Sequence, residues 1–165
     1  LPVWIAPFPR RPTRVPPSPD GRWQLSLART EQGMLRIRRR RPVAALEVLG
    51  LAVDDDGIRV TVPATGAERL DLVRNDTVLA SYPLASEGDR SVAVLTEAGL
   101  PPAGPLRVLA GDLPLRRRAN DLVGPQSAVL LPVLVDEETG RDLLQLRWSP
   151  DALLVARVVD DEEPS

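Results

Sequence analysis

Apolar residues recur at every second position through most of this 165-residue chain. Clear examples are Ile58-Val60-Val62, Leu106-Val108-Ala110 and Leu144-Leu146-Trp148. A period of two places such side chains on one face of a half-buried β-strand, whereas an amphipathic helix needs spacings of three and four. The Gly, Asn, Asp and Pro residues that favour turns fall between these runs, at 54–57, 64–66, 74–76, 86–89, 101–105 and 138–140. Many short strands separated by such turns predict an all-β antiparallel sandwich.

Proline density sets the first twenty residues apart. Seven of the 18 prolines lie there, and proline cannot donate a hydrogen bond within a central sheet. We therefore predict an edge strand at about Val3–Ala6, followed by an extended connector. A shorter connector at 124–126 precedes a strand predicted at 127–135.

The segments 22–42 and 141–161 read alike when they are aligned at an offset of 119 residues. Leu25 then matches Leu144, Leu27 matches Leu146, and Thr30 matches Ser149. Either this is a duplicated strand–corner–strand unit, or two hairpins with alternating leucines match by composition. A duplication predicts that both segments adopt the same hairpin and that Leu25 and Leu144 are equally buried.

These patterns suggest four parts. Residues 1–42 are a Pro-rich edge segment plus a hairpin, interpreted as the tail of a preceding repeat. Residues 43–112 form an Ig- or fibronectin-like sandwich body. Residues 113–160 add a connector strand and a hairpin that packs on the body, and 161–165 are an acidic tail. Because the chain begins at Leu1 in mid-pattern, we expect it to be a piece of a longer protein.

Composition excludes several kinds of chemistry. The chain has no Cys, no His and no Lys, so disulfides, thiolate or imidazole metal sites and Ser–His–Asp triads are all excluded. Paired carboxylates are the one common catalytic route left, and every acidic cluster falls in a turn or tail. We therefore predict no enzyme activity, no cofactor and no metal. No run of eighteen apolar residues exists, so no membrane span is expected.

A family resemblance rests on "LPLRRRAND" (113–121), "VLLPVLVD" (129–136) and "LLQLRWSPDALLVARVV" (143–159), after a body that contains "LPPAGPLRVLAG" (100–111). Together these segments resemble the β-sandwich accessory modules of large cell-wall-polymer glycosyltransferases and glycerophosphotransferases from GC-rich Gram-positive bacteria. The resemblance implies a non-catalytic accessory or spacer module of a cell-envelope glycan-synthesising protein, at the cytoplasmic face of the envelope. Its partners would be neighbouring domains of the larger chain. The alternatives are a carbohydrate- or anionic-polymer-binding module and a repeated structural or adhesion domain.

Basic residues concentrate near the start of the chain. Residues 1–50 carry a net charge of +7 and residues 51–165 a net charge of −9. In a strand Arg36, Arg38 and Arg40 share one face, which could contact an anionic cell-wall polymer or glycan. The more common role of such a run is a solvated strand edge that blocks sheet-to-sheet pairing. Nucleic acid is not expected, because only five aromatic residues are present to stack on bases.

Two of those aromatics, Trp4 and Trp23, are candidate platforms for stacking on a sugar ring, although tryptophans of this kind more often serve in packing. Tyr82 and Trp148 continue apolar stripes and are predicted to lie in the core. The acidic group Asp54-Asp55-Asp56 lacks the ligand spacing of a calcium loop, and a solubilising turn is the favoured interpretation.

Overall fold

The computed structural model describes residues 13–14, 18, 22–41, 44–117, 130–149 and 152–159. The predictions for Trp4, for Val3–Ala6 and for the 124–126 connector lie outside these residues. Strands make up 61% of the described residues, and the single helical element there is a short 3₁₀ turn at Glu97–Gly99, so the chain is all-β. None of the described residues belongs to a helix with the length and apolarity needed to cross a membrane.

The strands, in chain order, are β1 (Thr13–Arg14), β2 (Gln24–Arg29), β3 (Leu35–Arg40), β4 (Leu46–Glu47), β5 (Gly50–Asp54), β6 (Gly57–Pro63), β7 (Arg69–Arg74), β8 (Thr77–Pro83), β9 (Ala85–Glu87), β10 (Arg90–Leu95), β11 (Gly104–Ala110), β12 (Leu113–Arg116), β13 (Val133–Val135), β14 (Asp142–Trp148) and β15 (Leu154–Val158).

The chain divides into two compact units. The first unit contains residues 1–44 and 118–129, and the second contains residues 45–117 and 130–165. In the described part of the first unit, β1, β2 and β3 form an antiparallel three-stranded sheet. We call the β2–β3 pair the first hairpin and the β14–β15 pair, which belongs to the second unit, the second hairpin.

The second unit is a β-sandwich. Its small sheet has the strand order β5-β6-β10-β9, and its large sheet runs β13-β14-β15-β11-β7-β8, with β12 and β4 attached beside β11. Side chains from both sheets meet in one hydrophobic core that includes Ile58, Val60 and Leu95 of the small sheet and Leu72, Val108 and Leu146 of the large sheet. The predicted all-β antiparallel sandwich is therefore confirmed. Tyr82 and Trp148 lie in this core as predicted.

One edge of β11 is shared by two different strands. Leu109 and Ala110 pair with β12, whereas Gly104 to Arg107 pair with β15. Both partners lie opposite β7, because Leu109 also pairs with Asp71 and Arg107 also pairs with Val73. The chain thus leaves this edge after β12 and returns to it at β15.

The first and second hairpins have the same register at an offset of 119 residues. Leu25 pairs with Arg39 as Leu144 pairs with Val158, and the match continues through Arg29–Leu35 and Trp148–Leu154. Outside each hairpin, Arg14 pairs with Ser26 as Val133 pairs with Gln145. The equivalence therefore extends to a third strand, β1 or β13.

The corners of the two hairpins also match. The amide of Thr30 donates to the carbonyl of Met34, and Ser149 donates to Leu153 in the same way. In both corners the hydroxyl of the first residue accepts the amide of the fifth, at 3.1 Å. The fourth residue has positive φ in each, +82° for Gly33 and +58° for Ala152. This is a tight turn that closes on a left-handed residue.

Equal burial of the two hairpins was predicted, and that prediction is wrong. Leu144 is fully buried in the sandwich core, whereas Leu25 is 42% exposed and Ile37, the counterpart of buried Ala156, is 59% exposed. The cause is the surroundings of each hairpin, because the second hairpin closes the sandwich and the first belongs to a separate sheet. The matching register of the two hairpins therefore supports a duplication, whereas the unequal burial of Leu25 and Leu144 does not.

Two local sequence predictions also need correction. The strand predicted at 127–135 is confined, among the described residues, to Val133–Val135, since Pro132 has no amide to donate. Strict alternation through 78–82 predicts that Val78 faces inward with Ala80 and Tyr82, yet Val78 is 53% exposed. A register shift opposite Leu72 and Val73 inserts one extra residue in β8 and turns Val78 to the other face.

Gly57 is required where β5 turns into β6. Its φ is +146°, and a Cβ at this position would lie 2.2 Å from the carbonyl oxygen of Leu95. We predict that Gly57→Ala lowers the free energy of unfolding by more than about 2 kcal/mol, because backbone atoms must shift to relieve the overlap. Gly66→Ala is the matched control, since a Cβ there would meet nothing within 4 Å. Denaturant titration measures both, and equal effects would contradict the prediction.

The corner of the second hairpin carries a correctable strain. Ala152 holds a left-handed conformation that costs an L-residue about 1 kcal/mol relative to glycine. We expect Ala152→Gly to raise the free energy of unfolding by about 0.5–1 kcal/mol, and Gly33→Ala to weaken the equivalent corner. Thermal and denaturant unfolding test this, and a destabilised Ala152→Gly variant would show that the corner is not strained.

Candidate anion-binding surfaces

The predicted arginine face is present on the first hairpin. Arg36 and Arg38 are exposed, and alternation along β3 places them on the same face about 7 Å apart. The side chain of Arg40 lies outside the described part of the chain. Contact between this face and an anionic polymer stays a prediction.

Trp23 is half-buried, and an arginine covers one face of its ring. The guanidinium carbon of Arg39 lies 3.5 Å from the ring centroid, and that of Arg41 lies 5.9 Å away. Such contacts are attractive because the cation meets the negative face of the aromatic quadrupole. A sugar could stack on Trp23 only at the opposite ring face or by displacing Arg39. The assignment of Trp23 as a sugar platform stays a prediction.

A second basic surface lies on the outer face of the large sheet. There a depression of about 480 Å³ is lined by Val73, Arg74, Asn75, Pro105, Leu106, Arg107, Arg147, Val155, Ala156 and Arg157. We call it the arginine depression. Its outward orientation follows from strand alternation, because Val108, Leu146 and Ala156, each one residue from one of its arginines, are buried in the core.

Strand register brings three of these arginines together around Val155. Arg107 and Arg147 both pair with Val155, so they flank it on neighbouring strands about 10 Å apart. Arg157 follows Val155 by two residues on β15 and therefore lies about 7 Å along the same face. Residues that are 40 and 50 positions apart in sequence thus form one triangle of positive charge over an apolar floor.

Neighbouring groups hold the arginines in place. The guanidinium of Arg107 donates to the carboxylate of Asp76, and that of Arg147 donates to the side-chain oxygen of Gln145. Arg74 donates to three backbone carbonyls, those of Pro102 at 2.8 Å, Ala103 at 3.0 Å and Pro105 at 3.3 Å. Arg74 therefore fixes the loop at one end of the depression. The charge of Arg107 is balanced in part by Asp76, and Arg147 and Arg157 lie beside it.

The lining of the depression suits binding rather than chemistry. Four arginines and Asn75 are its only polar side chains, and no carboxylate is among the lining residues. Guanidinium groups bind phosphate or carboxylate oxygens through paired N–H donors, and they do not lose a proton near neutral pH. Pro105, which is exposed, and Val155, which is half-buried, can contact the carbon atoms of a ligand. An anion with an apolar part fits this combination.

Two of the acidic groups singled out in the sequence, around Asp54 and Asp136, stabilise turns. The carboxylate of Asp54 pairs with Arg59 at 3.0 Å and accepts the amide of Asp56. The carboxylate of Asp136 accepts the amides of Glu138 and Thr139, and these hydrogen bonds lower the pKa of Asp136. Across the described segments, no three acidic side chains come together in a way that could hold a metal ion.

Sequence reasoning missed the arginine depression because its residues lie on four separate strands. The one available signal was alternation, because each of Arg107, Arg147 and Arg157 lies between two core positions and so must point outward. Their proximity depends on strand order and register, which the sequence pattern does not specify.

Comparison with known proteins gave no match. No protein-family model matches the chain, and no curated protein or solved structure matches it.

Arg74 should be a stabilising residue. We predict that Arg74→Met, which keeps the apolar stem and removes three hydrogen bonds, lowers the free energy of unfolding by about 1–3 kcal/mol. Arg69→Met on the same strand is the matched control, because Arg69 is exposed and should cost little. Denaturant unfolding of both variants checks this. Equal losses would show that the hydrogen bonds of Arg74 to the loop contribute nothing.

Proposed function

We propose that this chain is a non-catalytic accessory module of a larger cell-envelope glycan-synthesising protein, and that it holds an anionic polymer. The observation that carries the proposal is the arginine depression, where Arg107, Arg147 and Arg157 surround Val155. Several guanidinium groups on one face suit a repeating anion better than a single small ligand. A phosphate-bearing polymer could engage them together, and each contact would release counterions.

The charge distribution supports the proposal. The second unit contains ten arginines against twenty acidic residues, so it is acidic as a whole. Four of its arginines nevertheless line the depression, and none of the lining residues is acidic, although Asp76 forms an ion pair with Arg107. A polyanion that is repelled by most of this unit would be attracted to this one face, which gives the interaction a defined place.

The host protein and its compartment come from the family resemblance alone. The sandwich architecture agrees with an accessory module, as does a second hairpin with the same register as the first. The Ig- or fibronectin-like assignment, the glycosyltransferase or glycerophosphotransferase partner and the cytoplasmic face of the envelope are all parts of this proposal. A carbohydrate-binding role through Trp23 and a structural or adhesion role are the alternatives.

Binding of a glycerol-phosphate polymer to the full chain tests the proposal. We expect measurable binding at low ionic strength, with an affinity that falls steeply between low and physiological salt. A neutral glucan should not bind. The double variant Arg147→Gln with Arg157→Gln should weaken binding at least about tenfold. It should also make the slope of log K against the logarithm of salt concentration shallower by about one to two.

Two control variants locate the interaction. Arg90→Gln removes an exposed arginine from the small sheet and should leave the affinity unchanged. Arg36→Gln with Arg38→Gln tests the arginine face of the first hairpin. Loss of binding in that variant, with full binding in the Arg147/Arg157 variant, would move the site to the first hairpin. Absence of polymer binding at any salt concentration would reject the proposal.

A further inference from the structure

The apolar face of the first hairpin has no described function. Leu25 and Leu27 on β2 share this face with Leu35 and Ile37 on β3. Leu25 and Ile37 are exposed by 42% and 59%, whereas Leu27 and Leu35 are partly buried. The opposite face carries buried polar residues, Gln24 and Ser26. Exposed residues thus lie on both faces of this sheet, with Arg36 and Arg38 on the polar face and Leu25 and Ile37 on the apolar one. An ordinary surface hairpin exposes its polar face and covers its apolar face.

The second hairpin shows how such a face is used. The counterparts of the four apolar residues are Leu144, Leu146, Leu154 and Ala156, all of which are buried in the sandwich core. The edge of β15 also pairs with β11, with Val155 opposite Arg107 and Arg157 opposite Pro105. In this position the hairpin fills the core and completes the large sheet at the same time.

Charge indicates the kind of partner. The first unit contains eleven arginines against three acidic residues, whereas residues 45–117, the kind of sandwich that would receive the hairpin, contain seven arginines against eleven acidic residues. On the apolar face itself Arg29 and Arg39 occupy the positions of Trp148 and Val158, which are only 6% and 8% exposed at opposite ends of the inner face of the second hairpin. Docking in the same place would therefore require acidic partners for both guanidinium groups. A second copy of the same face would bring these arginines against each other. An acidic sandwich would attract them.

We infer that the first hairpin is a docking element for a β-sandwich built like residues 45–117. The hairpin inserts Leu25, Leu27, Leu35 and Ile37 into the open core of that sandwich. Its β3 edge pairs with the strand equivalent to β11, in the place that β15 takes in this chain. In this chain the second hairpin closes the core of the sandwich. The first hairpin closes the core of a separate sandwich in the same way.

Complementation between full-length chains tests this inference. The acceptor carries Leu144→Ser and Leu154→Ser, which weaken its own second hairpin, together with Leu25→Ser and Ile37→Ser, which disable its first. The unsubstituted chain is the donor. We expect the donor to restore hydrogen-exchange protection along β11 of an isotope-labelled acceptor and to form a one-to-one complex in sedimentation velocity.

Two donor variants test whether the apolar face of the first hairpin is responsible for the rescue. A donor with Leu25→Ser and Ile37→Ser should need at least about tenfold more protein to give the same protection. A donor with Val53→Ser and Val78→Ser, which removes apolar residues of similar exposure from the sandwich, should act like the unsubstituted chain. Equal rescue by both donors, or no rescue by the unsubstituted donor, would overturn the inference.

The unmixed proteins provide a second measurement. Leu25→Ser with Ile37→Ser should leave the unfolding midpoint of the single chain unchanged, because the face is open in this chain. A marked loss of stability would mean that the chain covers the face itself. A homodimer of the unsubstituted chain that disappears in this variant would mean that a second copy occupies the face. Either result would overturn the inference.

Discussion

Pairing along both edges of β11 holds the large sheet together. One edge pairs with β7 and the other with β12 and β15, so three separate parts of the chain depend on this strand. Its inward residues Leu106, Val108 and Ala110 are buried where the two sheets meet. Because successive side chains alternate in direction, burial of Val108 also fixes Arg107 on the outer face. The arginine depression is thus a by-product of the packing that stabilises the core.

Much of the fold could be predicted because the controlling signals are local. Alternation identified the strands at 58–62, 106–110 and 144–148, and the turn residues identified the connections between strands. Asn75 and Asp76 both adopt positive φ, as a two-residue hairpin turn requires, and they lie in the predicted turn at 74–76. The core positions of Tyr82 and Trp148 followed from the same alternation.

The remaining features depend on contacts between distant segments. β4 pairs with β12 in the large sheet, and within three residues β5 pairs with β6 in the small sheet, yet nothing in "LEVLG" (46–50) marks this crossing. The extra residue in β8 that exposes Val78 lacks a local signature as well. Leu25 and Leu144 occupy equivalent places in similar hairpins, but the residues and strands around them differ. Burial is a property of the neighbours of a residue, and for that reason the repeat predicted conformation and failed to predict exposure.

The divided edge of β11 affects the order in which the protein can fold during synthesis. Residues 45–117 contain both partners of the β11–β12 pair, and they leave the ribosome well before β15. Until residue 158 emerges, the edge from Gly104 to Arg107 lacks its strand and the core lacks Leu144, Leu154 and Ala156. At about 5–20 residues per second, that interval lasts several seconds. During this time the nascent sandwich exposes an unpaired, apolar edge, which is the kind of surface that chaperones bind and that leads to misassembly between neighbouring chains.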